Sequence, residues 1–463
     1  MQNNISVRIV VLLTLLSAGA CKKFVTIEPA PSLIKTERIF TSDKTALSAA
    51  SGVYIAMRVG PTLFYNAGMT LYGGLISDEI IPSNPNSDTR AFFEADLVAN
   101  NTTVTGFYAL LYQVIYRCNA ALEGLEGSHS LTPGLKDQLI GEMKFVRALQ
   151  YYYLVNLWDD VPLVTTSDYQ VNATLARTPM TKIFEWMEVE LKQSVSLLQP
   201  EYPSPGKVRP NRWAALMLLA RLYQQEKKWD LLEDVTTNIL RSGAYSLVPG
   251  SSLQNVFAKN SSETVWELAS PNETQLVGDA TIFVPVSPTV RPAYTLSPGL
   301  LNSFEPNDRR GQVGTWVGKN IVNAIEYVYP RKYGQRTLIV NTSPTEYKVV
   351  FRLAEAYLLR AEARANMVEI LQAQADINKI RERAGLTESA ADNKELLLAA
   401  IAEERRHEFF CEWGHRWIDL KRTGMSDIVL APLKSKWQSY DVNFPVPEKE
   451  LLYNPYLVQN PGF

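Results

Sequence analysis

The chain of 463 residues is poor in cysteine and histidine, with three of each. Three cysteines cannot make a disulfide framework, and three histidines leave little for a Ser-His-Asp triad or a histidine-based metal centre. No strong charge of one sign is present: 46 Lys and Arg stand against 48 Asp and Glu, a formal charge of −2. No basic run or face stands out, which argues against nucleic acid as a partner. No phosphate loop or nucleophile elbow occurs. After residue 21 no apolar run approaches the ~20 residues that a membrane-spanning helix needs.

What is present begins at the N-terminus. Arg8 precedes an apolar run from Ile9 to Leu16, broken only by Thr14. Ser17, Ala18, Gly19 and Ala20 follow, and then Cys21. A basic start, a short apolar stretch and a small-residue exit describe a signal peptide. A cysteine directly after the small residues resembles the lipobox of bacterial lipoproteins. Residues 1–20 are expected to be removed and Cys21 to carry lipid, so that the chain is anchored to a membrane without crossing it. Cys118 and Cys411 then remain, with buried free thiols expected.

Helical periodicity predicts helices from about residue 43, over 104–125, after Pro133, and near 180–198, 210–226, 229–241, 346–367, 369–383 and 394–413. Leu219-Ala220-x-x-Tyr223 followed by Trp229-x-x-Leu232 resembles a tetratricopeptide unit, and Leu353-Ala354-x-x-Tyr357 with Ala361 and Ala365 repeats it. The spacing is irregular, so plain antiparallel helix packing is the other reading. Two stretches look non-helical. Residues 59–102 are rich in Gly, Pro, Asn and Ser and read as loops with short segments. Residues 245–345 lose helical period, carry many prolines, and contain β-like runs at Thr264–Leu268 and 281–285. A connection of that length without helix is usually functional or disordered, and its aromatic content argues against disorder.

Several spaced blocks carry a family resemblance. They include Arg147-Ala148-Leu149-Gln150-Tyr151-Tyr152-Tyr153 within 145–164, the stretches 349–363 and 377–385, and the ending Asn460-Pro461-Gly462-Phe463. The most specific is Glu403-Glu404-Arg405-Arg406-His407-Glu408-Phe409-Phe410, continuing to Gly424. Together they resemble the SusD/RagB family of outer-membrane nutrient-uptake lipoproteins of Bacteroidota. The fold expected is mainly α, with tetratricopeptide-like helix pairs in a superhelical scaffold and an irregular, partly β insert. The expected organisation is a signal peptide over 1–20, an N-terminal helical region over 21–244, a substrate-facing insert over 245–345 and a C-terminal region over 346–463. The resemblance implies a non-catalytic protein at the outer membrane, facing the cell surface. It would capture oligosaccharides and pass them to a SusC-like TonB-dependent transporter. A peptide-binding relative, or a scaffold lipoprotein for envelope assembly, are the alternatives. No cofactor is implied.

Individual residues divide by location. His407, Cys411 and His415 are spaced four apart, but Cys411 breaks the zincin pattern and Gly414 is expected to end the helix, so no metal site is assigned. The charges from Glu403 to Arg422 are expected to form ion pairs. Asp78-Glu79 is the best acidic pair, yet adjacent carboxylates point apart and do not make a glycosidase pair, so no catalytic residue is assigned. Aromatics in helical patterns are expected in the core, and those in the two non-helical stretches are candidates for stacking on sugar rings. Trp316, flanked by Gly314 and Gly318, is the first choice for ligand contact, followed by Tyr294, Tyr72 and Tyr65.

Overall fold

The computed structural model describes residues 39–58, 64–270, 272, 274–338 and 342–463. Cys21 and the leader lie outside the described residues.

The main helices follow one another in chain order, and several start at a side-chain cap. They are α1 (Asp43–Arg58), α2 (Met69–Ile76), α3 (Ser87–Glu94), α4 (Thr102–Glu126) and α5 (Pro133–Trp158). Next come α6 (Met180–Leu197), α7 (Arg212–Gln225), α8 (Trp229–Arg241) and a short α9 (Gly278–Phe283). The C-terminal part supplies α10 (Leu353–Asn366), α11 (Ile370–Ala384), α12 (Lys394–Phe409) and α13 (His415–Arg422). The Asn101 side chain caps α4 by accepting from Val104 N at 3.0 Å, and Asn211 caps α7 from Ala214 N at 3.1 Å. Pro133 opens α5, where a missing N–H costs nothing. The Asp43 carboxylate accepts from the Thr132 amide at 3.0 Å and its hydroxyl at 2.7 Å, tying the start of α1 to the start of α5.

From Phe145 to Trp158 every residue of α5 is buried, so this helix is covered on all sides and forms the centre of the core. α4 and α6 pack against it, α7 packs on α6, and the series continues through α8, α10, α11 and α12, each against the one before. The hairpins α7–α8 and α10–α11 are as expected, with Ala220 and Ala361 fully buried in them. α8 packs on α10 although most of the insert lies between them in sequence.

Among the described residues six short strands make three two-stranded ladders. β1 (Ile80–Pro82) pairs antiparallel with β3 (Tyr294–Leu296). β2 (Thr264–Leu268) pairs with β6 (Lys348–Arg352), and β4 (Val317–Val322) with β5 (Ile325–Pro330). The 245–345 segment is loop-rich and partly β as expected, but two of its strands pair outside it, so it is woven into the regions on either side.

Four expectations are corrected. Residues 348–352 are a strand, because Val349-Val350-Phe351 is covered on both faces and a buried strand shows the same apolar run as a buried helix. The 59–102 stretch holds the π-helical turn Phe64–Gly68, α2 and α3. Its glycines serve close packing: a Cβ on Gly73 would lie 2.7 Å from Gly414 Cα. The β-like run at 281–285 begins inside helix α9. Helix α12 stops at Phe409, and Cys411, Trp413 and Gly414 follow with φ of 50°, 50° and 67°.

Cys118 and Cys411 are both buried and free. The charges of the Glu403–Arg422 block form ion pairs, as expected, except Lys421, which donates to the Asn156 carbonyl and Asn443. Glu408 meets Arg352 at 2.5 Å and Arg310 at 3.1 Å, and also pairs with Arg383. Arg352 reaches Glu263 at 3.1 Å and Glu412 at 2.9 Å, and Lys332 reaches Glu412 at 2.5 Å. Burial alone would raise the Glu408 carboxyl, but the guanidiniums of Arg383, Arg352 and Arg310 outweigh it and hold the group far below the usual range. Removing one partner from such a buried set leaves an uncompensated charge, which typically costs ~3–5 kcal/mol.

Candidate ligand-binding face

Three of the four expected ligand-contact residues are inside the protein. Trp316 is 0 % exposed. Its Nε1 donates to the Leu253 carbonyl at 2.9 Å, and the Lys332 ammonium lies 4.7 Å from its ring centroid. Tyr65 is also 0 % exposed and its hydroxyl donates to Gln150. Tyr72 packs against Phe92 and Phe107 with ring centroids at 4.6 and 5.6 Å. A ring enclosed by protein has no face left for a sugar, so Trp316, Tyr72 and Tyr65 are core residues. The glycines beside Trp316 spare bulk from chain neighbours, but residues distant in sequence fill the space.

Tyr294 is different. It lies at the start of β3, half-buried, and Phe283 meets its ring edge-on at 6.0 Å. Burial raises its hydroxyl above the ordinary tyrosine value. Tyr327 on β5 is likewise half-buried, and the Arg291 guanidinium sits 5.0 Å from its ring centroid. The backbone between these groups is held from two sides. Ser83, just after β1, donates its amide to Ala293 O at 2.8 Å and its hydroxyl to Pro292 O at 2.7 Å. Asn320 on β4 donates through Nδ2 to Ser287 O at 2.9 Å and Val290 O at 2.7 Å. The result is a held surface segment carrying the exposed Arg291 guanidinium and the partly exposed Tyr294 ring, with the Tyr327 ring supplied by the neighbouring β5. Such rings can stack on the C–H face of a sugar, while the guanidinium and nearby amides donate to oxygen atoms. Tyr294 was legible as a loop aromatic. Arg291 was missed, because nothing in the local sequence shows that it lies over Tyr327.

The other candidates take structural places. Asp78 is held by Arg406 at 2.8 Å and Arg416 at 2.7 Å. Glu79 is buried, and burial together with the Asp78 charge pushes its carboxyl up to about 8. His407 stacks on Phe304 at 4.8 Å and shares a 2.9 Å hydrogen bond with Ser303, while His415 stacks on Phe409 at 4.7 Å. The helix end at Phe409 separates His407 from His415. Among the described residues no group of three or more His, Cys, Asp or Glu could hold a metal ion. Nor is any helix among them long and apolar enough to cross a membrane. A separate cleft of about 520 Å³ lies against α4, near Phe40, Tyr116 and His129.

Comparison with known proteins agrees with the architecture. The profile of the SusD family matches residues 318–463. A second profile, described as starch-binding associating with outer membrane, matches residues 73–224. SusD-like protein P25 of Formosa agariphila is 26 % identical over 98 % of this chain and 97 % of its own. A SusD superfamily structure from Bacteroides vulgatus superposes with a TM-score of 0.80 at 21 % identity, covering 91 % of this chain and 99 % of that one. A laminarin-binding SusD-like protein gives 0.74 at 21 % identity, with coverage of 91 % and 99 %. Two family profiles in order, relatives aligned nearly end to end and a shared fold lead to one conclusion: the chain belongs to the SusD/RagB family.

Proposed function

We propose that this protein is a non-catalytic, glycan-capturing lipoprotein of the outer membrane that hands oligosaccharides to a SusC-like TonB-dependent transporter. The observation that carries the reading is the Tyr294–Tyr327 surface, two phenol rings on backbone fixed by Ser83 and Asn320. A preformed stacking surface loses little freedom on binding, so ring contact translates into affinity. The laminarin-binding structural relative supports a glycan as the ligand class. Cys21 would supply the anchor and the cell surface the location, with transport energy coming from the partner. Tyr294 stays as the one ligand contact from the sequence reading, joined by Tyr327 and Arg291.

Titration of immobilised glycans with parent, Tyr294→Ala and Tyr327→Ala protein tests this. Loss of a stacking hot spot is expected to weaken binding by about 1–3 kcal/mol while thermal unfolding stays near the parent's. Two folded variants that both bind like the parent would show that the site lies elsewhere.

A further inference from the structure

The segment that carries the proposed face differs from the whole chain in charge. Residues 284–338 carry seven Lys and Arg against three Asp and Glu, whereas the full chain is close to balanced. The three acids are already engaged. Asp308 pairs with Arg310 at 2.7 Å, Glu305 with Arg381 at 2.6 Å, and Glu326 with Lys319 at 3.0 Å. Of the cations, Arg310 and Lys332 point inward and are neutralised by Glu404, Glu408 and Glu412. Arg291 has no ion-pair partner among the described residues, although it is exposed.

Its setting suits a reader of charge. The guanidinium lies over the Tyr327 ring, 5.0 Å from its centroid, a contact that leaves its N–H groups available to a ligand. Pro292 and Ala293, directly after it, are held by Ser83, and Ser287 and Val290, just before it, by Asn320. Tyr294 follows three residues later. A guanidinium presents a fork of donors that matches a carboxylate or sulfate, whose two oxygens accept in parallel. A neutral sugar offers only hydroxyls and leaves the charge without a counter-ion.

We propose that this face takes an anionic glycan, bearing uronate carboxylates or sulfate esters, and that Arg291 reads the charge. The inference rests on the assignment of this face as a glycan site. Affinity electrophoresis of the detergent-solubilised full-length protein tests both, with polygalacturonate, dextran sulfate or laminarin in the gel. Retardation by a polyanion is expected, weaker at high salt, reduced roughly tenfold in Arg291→Gln and partly restored in Arg291→Lys. The polygalacturonate and dextran sulfate arms separate uronate from sulfate recognition. Retardation by laminarin alone overturns the inference and leaves the glycan assignment standing. Polyanion retardation unchanged in Arg291→Gln, with the variant folded by circular dichroism, overturns it too. Retardation in none of the three gels overturns both the inference and the assignment.

Discussion

Glu79 shows how far burial governs single residues here. Its Oε2 accepts the Cys411 amide at 3.2 Å, and its Oε1 has no partner among the described residues. The folded carboxyl titrates near 8, against an ordinary value of 4.5 that the unfolded chain regains. Between those values the folded state holds a proton that the unfolded state has released. Stability therefore falls as pH rises from about 4.5 to about 8 and levels off above. Glu79→Gln keeps the acceptor for Cys411 and does not titrate. Its stability relative to the parent should rise across that window, by on the order of 5 kcal/mol. Urea unfolding of both proteins at several pH values checks this, and parallel profiles would count against a buried neutral acid. The same reliance on surroundings explains why residue roles were only partly legible. Tyr294 and Trp316 both sit in Gly- and Pro-rich sequence. One stays half open because it starts an edge strand, while the other is enclosed by Phe257, Lys332 and Phe410.

At the scale of elements, the helices with a polar face were legible, since water exposure writes the 3.6-residue period into the sequence. Short, fully buried elements were not, whereas the long α5 was found although it is buried throughout from Phe145 to Trp158. In α2 every residue from Met69 to Ile76 is buried, so no period remains, and its glycines imitate a loop. β6 lost its alternation in the same way. Two glycine substitutions separate these cases. Gly73→Ala places a Cβ 2.7 Å from Gly414 Cα, where both sides are backbone and neither can yield, and should cost about 1–3 kcal/mol. Gly106→Ala on the exposed side of α4 meets nothing within 4 Å and should gain about 0.5–1 kcal/mol of helix propensity. Chemical denaturation of the two variants gives the comparison. Equal effects of the same sign would mean that the α2 contact is not tight.

At the scale of the molecule, the helical array and the place of the irregular segment were readable, but its weaving was not, because β1–β3 and β2–β6 join residues far apart in the chain. The anchor is a prediction at this scale as well: Cys21→Ala should move the protein from the membrane fraction to the soluble one. In cells lacking the partner transporter, unchanged partition of Cys21→Ala would refute it. The segment from 245 to 345 has two unlike sides. Inward, Glu263, Arg310 and Lys332 engage the buried charges around Glu408. Outward, Arg291, Tyr294 and Tyr327 face solvent at least in part, without buried ionic partners. Exposed substitutions away from special features usually change stability by no more than about 0.5 kcal/mol. Substitutions can therefore accumulate on the outer side while folding is preserved, so the outer face can change what it binds while the same architecture is inherited.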